Sequence, residues 1–445
     1  MSFDILSQML KEQKYVEFMQ MLNEMNSVDA AEFLSTVEES ELPMVFRLLK
    51  KDIAADIFTE LDSDLQERIV QTMSDKEISK VMDELFIDDA VDMLEELPAN
   101  MVRRILKNTD AKTRGEINRL LKYPEDSTGS IMTPEFISIR SDMTVEDAVN
   151  YIRRTGVDKE TVYIIYVTNK SKKLLGTVEL RDLLFANPEE AIEDIMDTAI
   201  VSVLTTDDRE FAANTISKYD LLALPVVDSE GRLVGIVTVD DAVDVIKEEA
   251  TEDIEIMAAI TPTEKPYLKT GVFSTWLKRI PWLLILMVSA TFTGIIITHY
   301  ESLLGEVVLL TAFIPMLMDT GGNAGSQASV TVIRGLSLGE VKMGNLLTIL
   351  WKEFRVSLLC GVTLATLSFV KALVIDQASV AVAFVVSLTL LSAIIVAKLV
   401  GCSMPILAKR LGFDPAVMAS PFITTIVDAV ALLIYFGFAT LILGI

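Results

Sequence analysis

Three stretches of this 445-residue chain carry residue types that could do chemistry with cations. In "SPFITTIVDAVALL", Ser420, Thr424 and Asp428 recur at every fourth position, so on a helix they share one face. Thr425 lies beside them, and Pro421 is expected to free a backbone carbonyl one turn back. Hydroxyls leading to a carboxylate could line a water-filled path, or the hydroxyls could serve only as hydrogen bonds between helices. That second reading covers Ser420 and Thr424 better than Asp428. A second stretch, "PMLMDTGGNAGSQ" at 315–327, sets Asp319, Asn323, Gln327 and three glycines inside an apolar run. Such polarity is tolerated at membrane depth only beside a cavity or inside protein. It is expected to end or kink its helix, with Gly321, Gly322 and Gly325 allowing close backbone approach. Asp319 either faces the path or pairs locally, and local pairing is slightly favoured. The third stretch, "VDDAVDVIKEEATEDIEIM", crowds Asp240, Asp241, Asp244, Glu248, Glu249, Glu252, Asp253 and Glu255 onto one helix. Like charges three and four residues apart weaken a helix. Salt screening or hard divalent cations, which take carboxylate and water oxygens, would offset that repulsion.

Elements of two different kinds must position these groups. After residue 275 five runs are long and apolar enough to cross a bilayer: 280–299, 303–333, 356–375, 380–404 and 416–443. Lys278 and Arg279, then Arg334, Lys342, Lys352 and Arg355, then Lys409 and Arg410 all fall on one side of these spans. The positive-inside rule makes that side cytoplasmic, with the N-terminal part there and the C-terminus outside. Lys398 is expected to snorkel toward the interface, and His299, the only histidine, to sit at a helix end.

The charge divides with the hydropathy. The whole chain has a formal net charge of -25, but residues 271–445 hold only eight acids and ten bases. The first part is therefore strongly acidic, which repels nucleic acid and attracts cations. Cys360 and Cys402 offer neither zinc spacing nor a disulfide framework. With one histidine, and no nucleophile–base pair or phosphate loop in the first part, an enzyme is disfavoured.

Residues 1–127 read as short amphipathic helices ("VDAAEFLSTV", "DIAADIFTEL", "KEISKVMDEL", "DDAVDMLEEL"), too short to bury a core alone and so expected to stack as a superhelix. Then a unit repeats, at 128–190 and 191–247. Each copy reads as a strand, a helix opened by Thr or Asp, a hairpin and a final helix. The hairpin turns fall at 169–172 and 229–231. "LPVVDSEGRLVGIVTVDD" fits the CBS pattern along its length, so the repeat resembles a tandem CBS pair, a module that senses a small ligand, with a nucleotide among the candidates.

An acidic helical domain, a CBS pair, an acidic connecting helix at 240–272 and a membrane domain at 273–445 resemble the MgtE-type magnesium channel/transporter family in order. "PMLMDTGGNAGSQ" and "FDPAVMASPFITTIVDA" (413–429) carry the resemblance most specifically. It implies a multidomain membrane protein: an all-α superhelical N-domain, an α/β CBS pair and five transmembrane helices. It also implies a homodimer in the bilayer that carries Mg2+ along its two-fold axis. Asp428 matches the family's selectivity carboxylate, with Thr424, Ser420, Gly322 and Asn323 beside it and Glu306 collecting cations at the outer end. Carried over position by position, the regulatory Mg2+ ligands would be Asp88 and Asp92, then Asp208, Glu210 and Asp220. On the connecting helix they would be Asp241, Asp244, Glu249, Glu252 and Asp253. A broader Mn2+ or Co2+ path, a membrane-anchored CBS sensor without a pore, and a chloride path are the competing readings; intramembrane carboxylates disfavour the last.

Overall fold

The computed structural model describes residues 2–38, 40–263, 267–268 and 270–444. The side chain of Ser420 lies outside the described set, as do those of Ser2, Asp52 and Asp158. The chain forms two compact units, Met1–Ile246 and Lys247–Ile445.

In the first unit ten short helices, α1 (Ser2–Lys11) to α10 (Ala111–Leu120), follow one another among the described residues. They stack two apart: α3 (Ser27–Thr36) on α5 (Lys51–Thr59), α5 on α7 (Asp75–Met82), and α7 on α9 (Ala99–Asn108). The second row runs α4 (Leu42–Leu48), α6 (Ser63–Thr72), α8 (Ile87–Glu96), α10. That is the expected superhelix, because each helix buries one apolar stripe against its next-but-one neighbour. Helix starts follow cap chemistry. Ser74 and Glu77 form a reciprocal capping box on α7, and Asp110 accepts from Lys112 N and Thr113 N at the start of α10.

The repeat folds as read. β1 (Ser138–Arg140) runs parallel to β2 (Ile164–Thr168), which pairs antiparallel with β3 (Leu174–Glu179); α11 (Val145–Thr155) lies between β1 and β2. After α12 (Leu180–Phe185) and α13 (Ile192–Ile195), the second copy repeats this with β4 (Val203–Leu204), α14 (Arg209–Tyr219), β5 (Ala223–Val227) and β6 (Leu233–Thr238). Thr144 and Asp208 cap α11 and α14, as the sequence predicts. Asp228 holds the second turn by accepting from Glu230 N and Arg232 N, both at 2.9 Å, and Gly231 supplies the positive φ of 76°. A single apolar core joins the N-terminal helices to the second copy, from Leu6 to Val245.

The division between units falls within α15 (Val239–Met257). The second unit continues with α16 (Val272–His299), α17 (Glu301–Glu306), α18 (Leu309–Ser337), α19 (Leu346–Val374), α20 (Val380–Arg410) and α21 (Ser420–Leu443). Among the described residues, four helical stretches are long and apolar enough to cross a membrane: Val272–His299, Met343–Val374, Val380–Arg410 and Pro415–Leu443. α18, at 29 residues, is as long as these but does not join them, because its central residues are polar.

The boundaries depart from expectation in instructive places. The expected second run splits, with Leu303 in α17 and the long helix beginning at Leu309. α18 then runs unbroken through 315–327, so the polar stretch does not end it. Ala, Ser and Gln keep the ladder intact there, and helix packing offsets the glycines' weak propensity. α19 begins ten residues before the expected start, because Lys352, Glu353 and Arg355 are good helix formers despite their charge. Pro421 stands in the first turn of α21, where its missing N–H costs no hydrogen bond, so the expected freed carbonyl does not arise. His299 ends α16 as expected.

Candidate cation path and acidic sensor

The small residues of α18 make a close three-helix crossing. A Cβ on Gly322 would stand 2.9 Å from Thr424 Cγ2 of α21, and one on Gly325 would stand 3.2 Å from the Ala397 carbonyl oxygen of α20. Opposite, a Cβ on Gly401 of α20 would fall onto the Gly325 carbonyl. These positions take glycine for want of room, as expected for Gly321, Gly322 and Gly325. Buried Ser329 crosses from α18 to donate to Met418 O at 3.1 Å, and buried Tyr435 donates to Leu310 O at 2.9 Å. The turn before α21 and α21 itself are thereby each tied to α18.

Around that crossing the polar groups sort by face. Gly321, Gly322, Ala324 and Gly325 are buried, whereas Asp319, Asn323, Gln327 and Thr331 are exposed at a spacing of four residues. One side of α18 packs and the other presents a polar stripe. Asp319 makes no hydrogen bond or ion pair among the described residues and lies within electrostatic reach of Asp428 on α21. The expectation that Asp319 pairs locally is therefore corrected. Two turns on from Asp319, Ser326 donates to Gly322 O at 3.0 Å. Half-buried Thr424 turns its hydroxyl to Pro421 O at 3.0 Å, and Thr425 does the same at 3.1 Å. Glu306 is exposed at the end of α17.

Lys398 does not snorkel. It is 5% exposed and lies 3.6 Å from Glu353 of α19. A partner inside the bundle makes an excursion of the ammonium to the interface unnecessary.

In the first unit, the start of α8 gathers acids from distant parts of the chain. Asp88 and Asp89 sit in its first turn and Asp92 one turn on. Asp241 lies at the start of α15, hydrogen-bonded by Thr238 Oγ1 at 2.5 Å. Glu135, from the segment before β1, accepts from Ile87 N at 2.9 Å. Oδ1 of Asp88 is sealed from solvent without a hydrogen-bond partner. Burial, reinforced by neighbouring carboxylates, pushes Asp88 and Asp241 up to about 6 and Asp89 up to about 7. Glu160 rises to about 8 for the same reasons, Asp88 and Asp241 among its repelling neighbours. Asp92 is likewise pushed up to about 8, although its side chain reaches solvent, where water screens the repulsion.

Sequence reasoning chose Asp88, Asp92 and Asp241 and missed Asp89, Glu135 and Glu160. Asp89 was in view beside Asp88, but nothing local marks Glu135 or Glu160. The other sensor candidates stand elsewhere. Asp208 is the N-cap of α14, accepting from Glu210 N at 2.8 Å, and Asp220 is its left-handed C-cap at φ 52°. Twelve residues of rise separate the two caps by about 18 Å, too far to share one ion. Asp244, Glu249, Glu252 and Asp253 lie along α15. Among the described residues, no three carboxylate, histidine or cysteine side chains converge tightly enough to hold an ion directly.

Comparison with known proteins follows the same division. Residues 314–438 match the family described as divalent cation transporter, 25–126 the MgtE intracellular N domain, and 129–189 and 192–248 the CBS domain. The chain is 40% identical over 334 residues to the magnesium transporter MgtE of Thermus thermophilus, covering 75% of this chain and 74% of that one. With the magnesium transporter MgtE of Enterococcus faecalis identity is 37% over 442 residues, covering 99% and 96%. With that of Bacillus subtilis it is 34% over 436 residues, covering 97% and 95%. Among solved structures, the soluble part of a magnesium transporter aligns with a TM-score of 0.53 at 33% identity, covering 56% of this chain and 98% of that one. The cytosolic domain of the Mg2+ channel MgtE in complex with ATP aligns at 0.52 and 36%, covering 54% and 98%.

Proposed function

The chain belongs to the MgtE family of magnesium transporters, and from that premise we propose that it is a multi-pass Mg2+ channel that admits Mg2+ to the cell and closes when internal Mg2+ is high. The observation that carries the reading is the exposed stripe of Asp319, Asn323, Gln327 and Thr331 on α18, with Asp319 in electrostatic reach of Asp428. Hydrocarbon does not tolerate such a stripe. A second copy facing it across a two-fold axis encloses a wet path with carboxylates from both subunits at one level. Mg2+ sheds water reluctantly and prefers octahedral oxygen, so carboxylates acting through its retained waters suit it. Asn323 and Thr424 set the walls of the narrow part, Gly322 lets their two helices approach, and Glu306 gathers cations at the outer mouth. Basic residues between the spans favour a cytoplasmic N-terminal part and an external C-terminus.

Regulation follows from the acids around Asp88, Asp92 and Asp241. Without a cation they repel; with one, the repulsion becomes attraction and α8, the first CBS copy and the start of α15 are drawn together. Asp244, Glu249, Glu252 and Asp253 extend the same chemistry along α15, while Asp208, Glu210 and Asp220 offer outlying positions on α14. A nucleotide is the ligand proposed for the CBS pair, on the strength of the ATP-bound relative. The test is Mg2+ flux into liposomes as internal Mg2+ is varied. Flux that falls as internal Mg2+ rises supports the channel, and equal flux of Mn2+ or Co2+ would replace it with a broader divalent path.

A further inference from the structure

Two charges lie buried within the membrane unit and no part of the proposed path uses them. Glu353 on α19 and Lys398 on α20 stand 3.6 Å apart, with side chains 14% and 6% exposed. Charge inside a membrane bundle is costly even when paired, and its presence calls for a function. Its surroundings indicate one. On α20, Lys398 falls between the two residues that approach the glycine crossing most closely, Ala397 and Gly401, both against Gly325 of α18. One turn on, Cys402 is fully buried among Ala328, Val332 and Leu336 of α18, with Leu346, Ile349 and Leu350 of α19 alongside. Here α20 is a wedge, with α18 on one side and α19 on the other.

Apolar helix surfaces in lipid lack a hydrophobic force that selects one register over another. A buried polar pair supplies that selection, which is the best-attested use of such pairs. The second marker agrees with it: Gly361 of α19 lies against Leu391 of α20, eight residues along one helix and seven back along the other. A slip of one residue would rotate Lys398 by about 100° away from Glu353 and strand both charges. We infer that the Glu353–Lys398 ion pair is a positioning element, fixing the register of α20 on α19 and thereby the seat of α18 and the bore of the cation path. The inference rests on reading α18 as the path-lining helix.

The experiment compares reconstituted full-length Lys398→Met, Glu353→Gln, the neutral pair Glu353→Gln/Lys398→Met and the exchanged pair Glu353→Lys/Lys398→Glu. Two readouts are taken. One is the half-saturating Mg2+ concentration for flux, with the Mg2+/Mn2+ preference. The other, independent of transport, is maleimide labelling of buried Cys402 in a Cys360→Ser background. Both single variants are expected to raise half-saturation several-fold, flatten the ion preference and increase labelling. The neutral pair is expected to keep the flattened ion preference and the raised labelling, and the exchanged pair to regain wild-type values of both. Wild-type ion preference in the single variants, whatever their stability, would overturn the positioning role, as would a neutral pair identical to wild type. A wild-type protein that carries no Mg2+ would instead overturn the channel reading. In that case the labelling still decides the register: unchanged Cys402 in the single variants refutes it.

Discussion

The two units handle their carboxylates in opposite ways. In the membrane unit, Glu353 is given its counter-charge by Lys398, and the helices around it are locked by glycine against backbone at Gly401 and Gly325. In the first unit, Asp88, Asp89, Asp92, Glu160 and Asp241 are brought together with one another, and Asp88 keeps a sealed oxygen with no partner. One arrangement sets opposite charges side by side; the other gathers like charges. The difference teaches where to look for switching. An ion pair offers a cation little to gain, whereas a cluster of repelling acids offers it much.

That contrast can be broken in either unit. The largest effect is expected from Asp428→Ala, which should abolish Mg2+ flux while the protein folds and while Mg2+ still protects residues 240–255 from protease. Loss of that protection as well would erase the separation between the units. Next, Gly401→Ala places a methyl on the Gly325 carbonyl. It should cost about 1–3 kcal/mol by overpacking, read as a lower melting temperature that Mg2+ does not restore. Asp88→Asn should do the converse: flux persists, but it no longer falls as internal Mg2+ rises, and protease protection requires several-fold more Mg2+.

The smallest effect is a slope with pH. The acids near Asp88 hold protons more tightly in the fold than in the unfolded chain, where such groups titrate near about 4. The folded state therefore binds more protons between about pH 4 and about pH 8, and stability falls as pH rises through that window. In chelator the first unit should melt earlier at about pH 8 than at about pH 6, and Mg2+ should flatten the difference. A flat profile without Mg2+ would mean that neither burial nor mutual repulsion holds these acids above their ordinary range.

Much of this was legible in the sequence where the determinant is local. Thr144 and Asp208 as helix starts, Asp228 and Gly231 as a turn, and the glycines of 315–327 each state their role within a few residues. Legibility ended where the determinant is a partner far along the chain. Lys398 reads as a residue that snorkels until Glu353, 45 positions earlier, is seen beside it. Glu135 and Glu160 belong with Asp88 only because the CBS copy folds against α8. Asp220 reads only as an acid in the sequence, and that it also ends α14 in the left-handed region is seen only in the fold.

Glu135 has a double allegiance. Its carboxylate meets the first N–H of α8 at 2.9 Å and so stands at the positive end of that helix's macrodipole. It also belongs to the acids that would attract a cation. Two positive fields thus compete for one carboxylate, and an ion that draws Glu135 toward itself loosens the start of the helix bearing Asp88. On the proposed regulation, a bound cation would be recorded as order or fraying in a single turn of backbone, which amide hydrogen exchange at Ile87 would report directly.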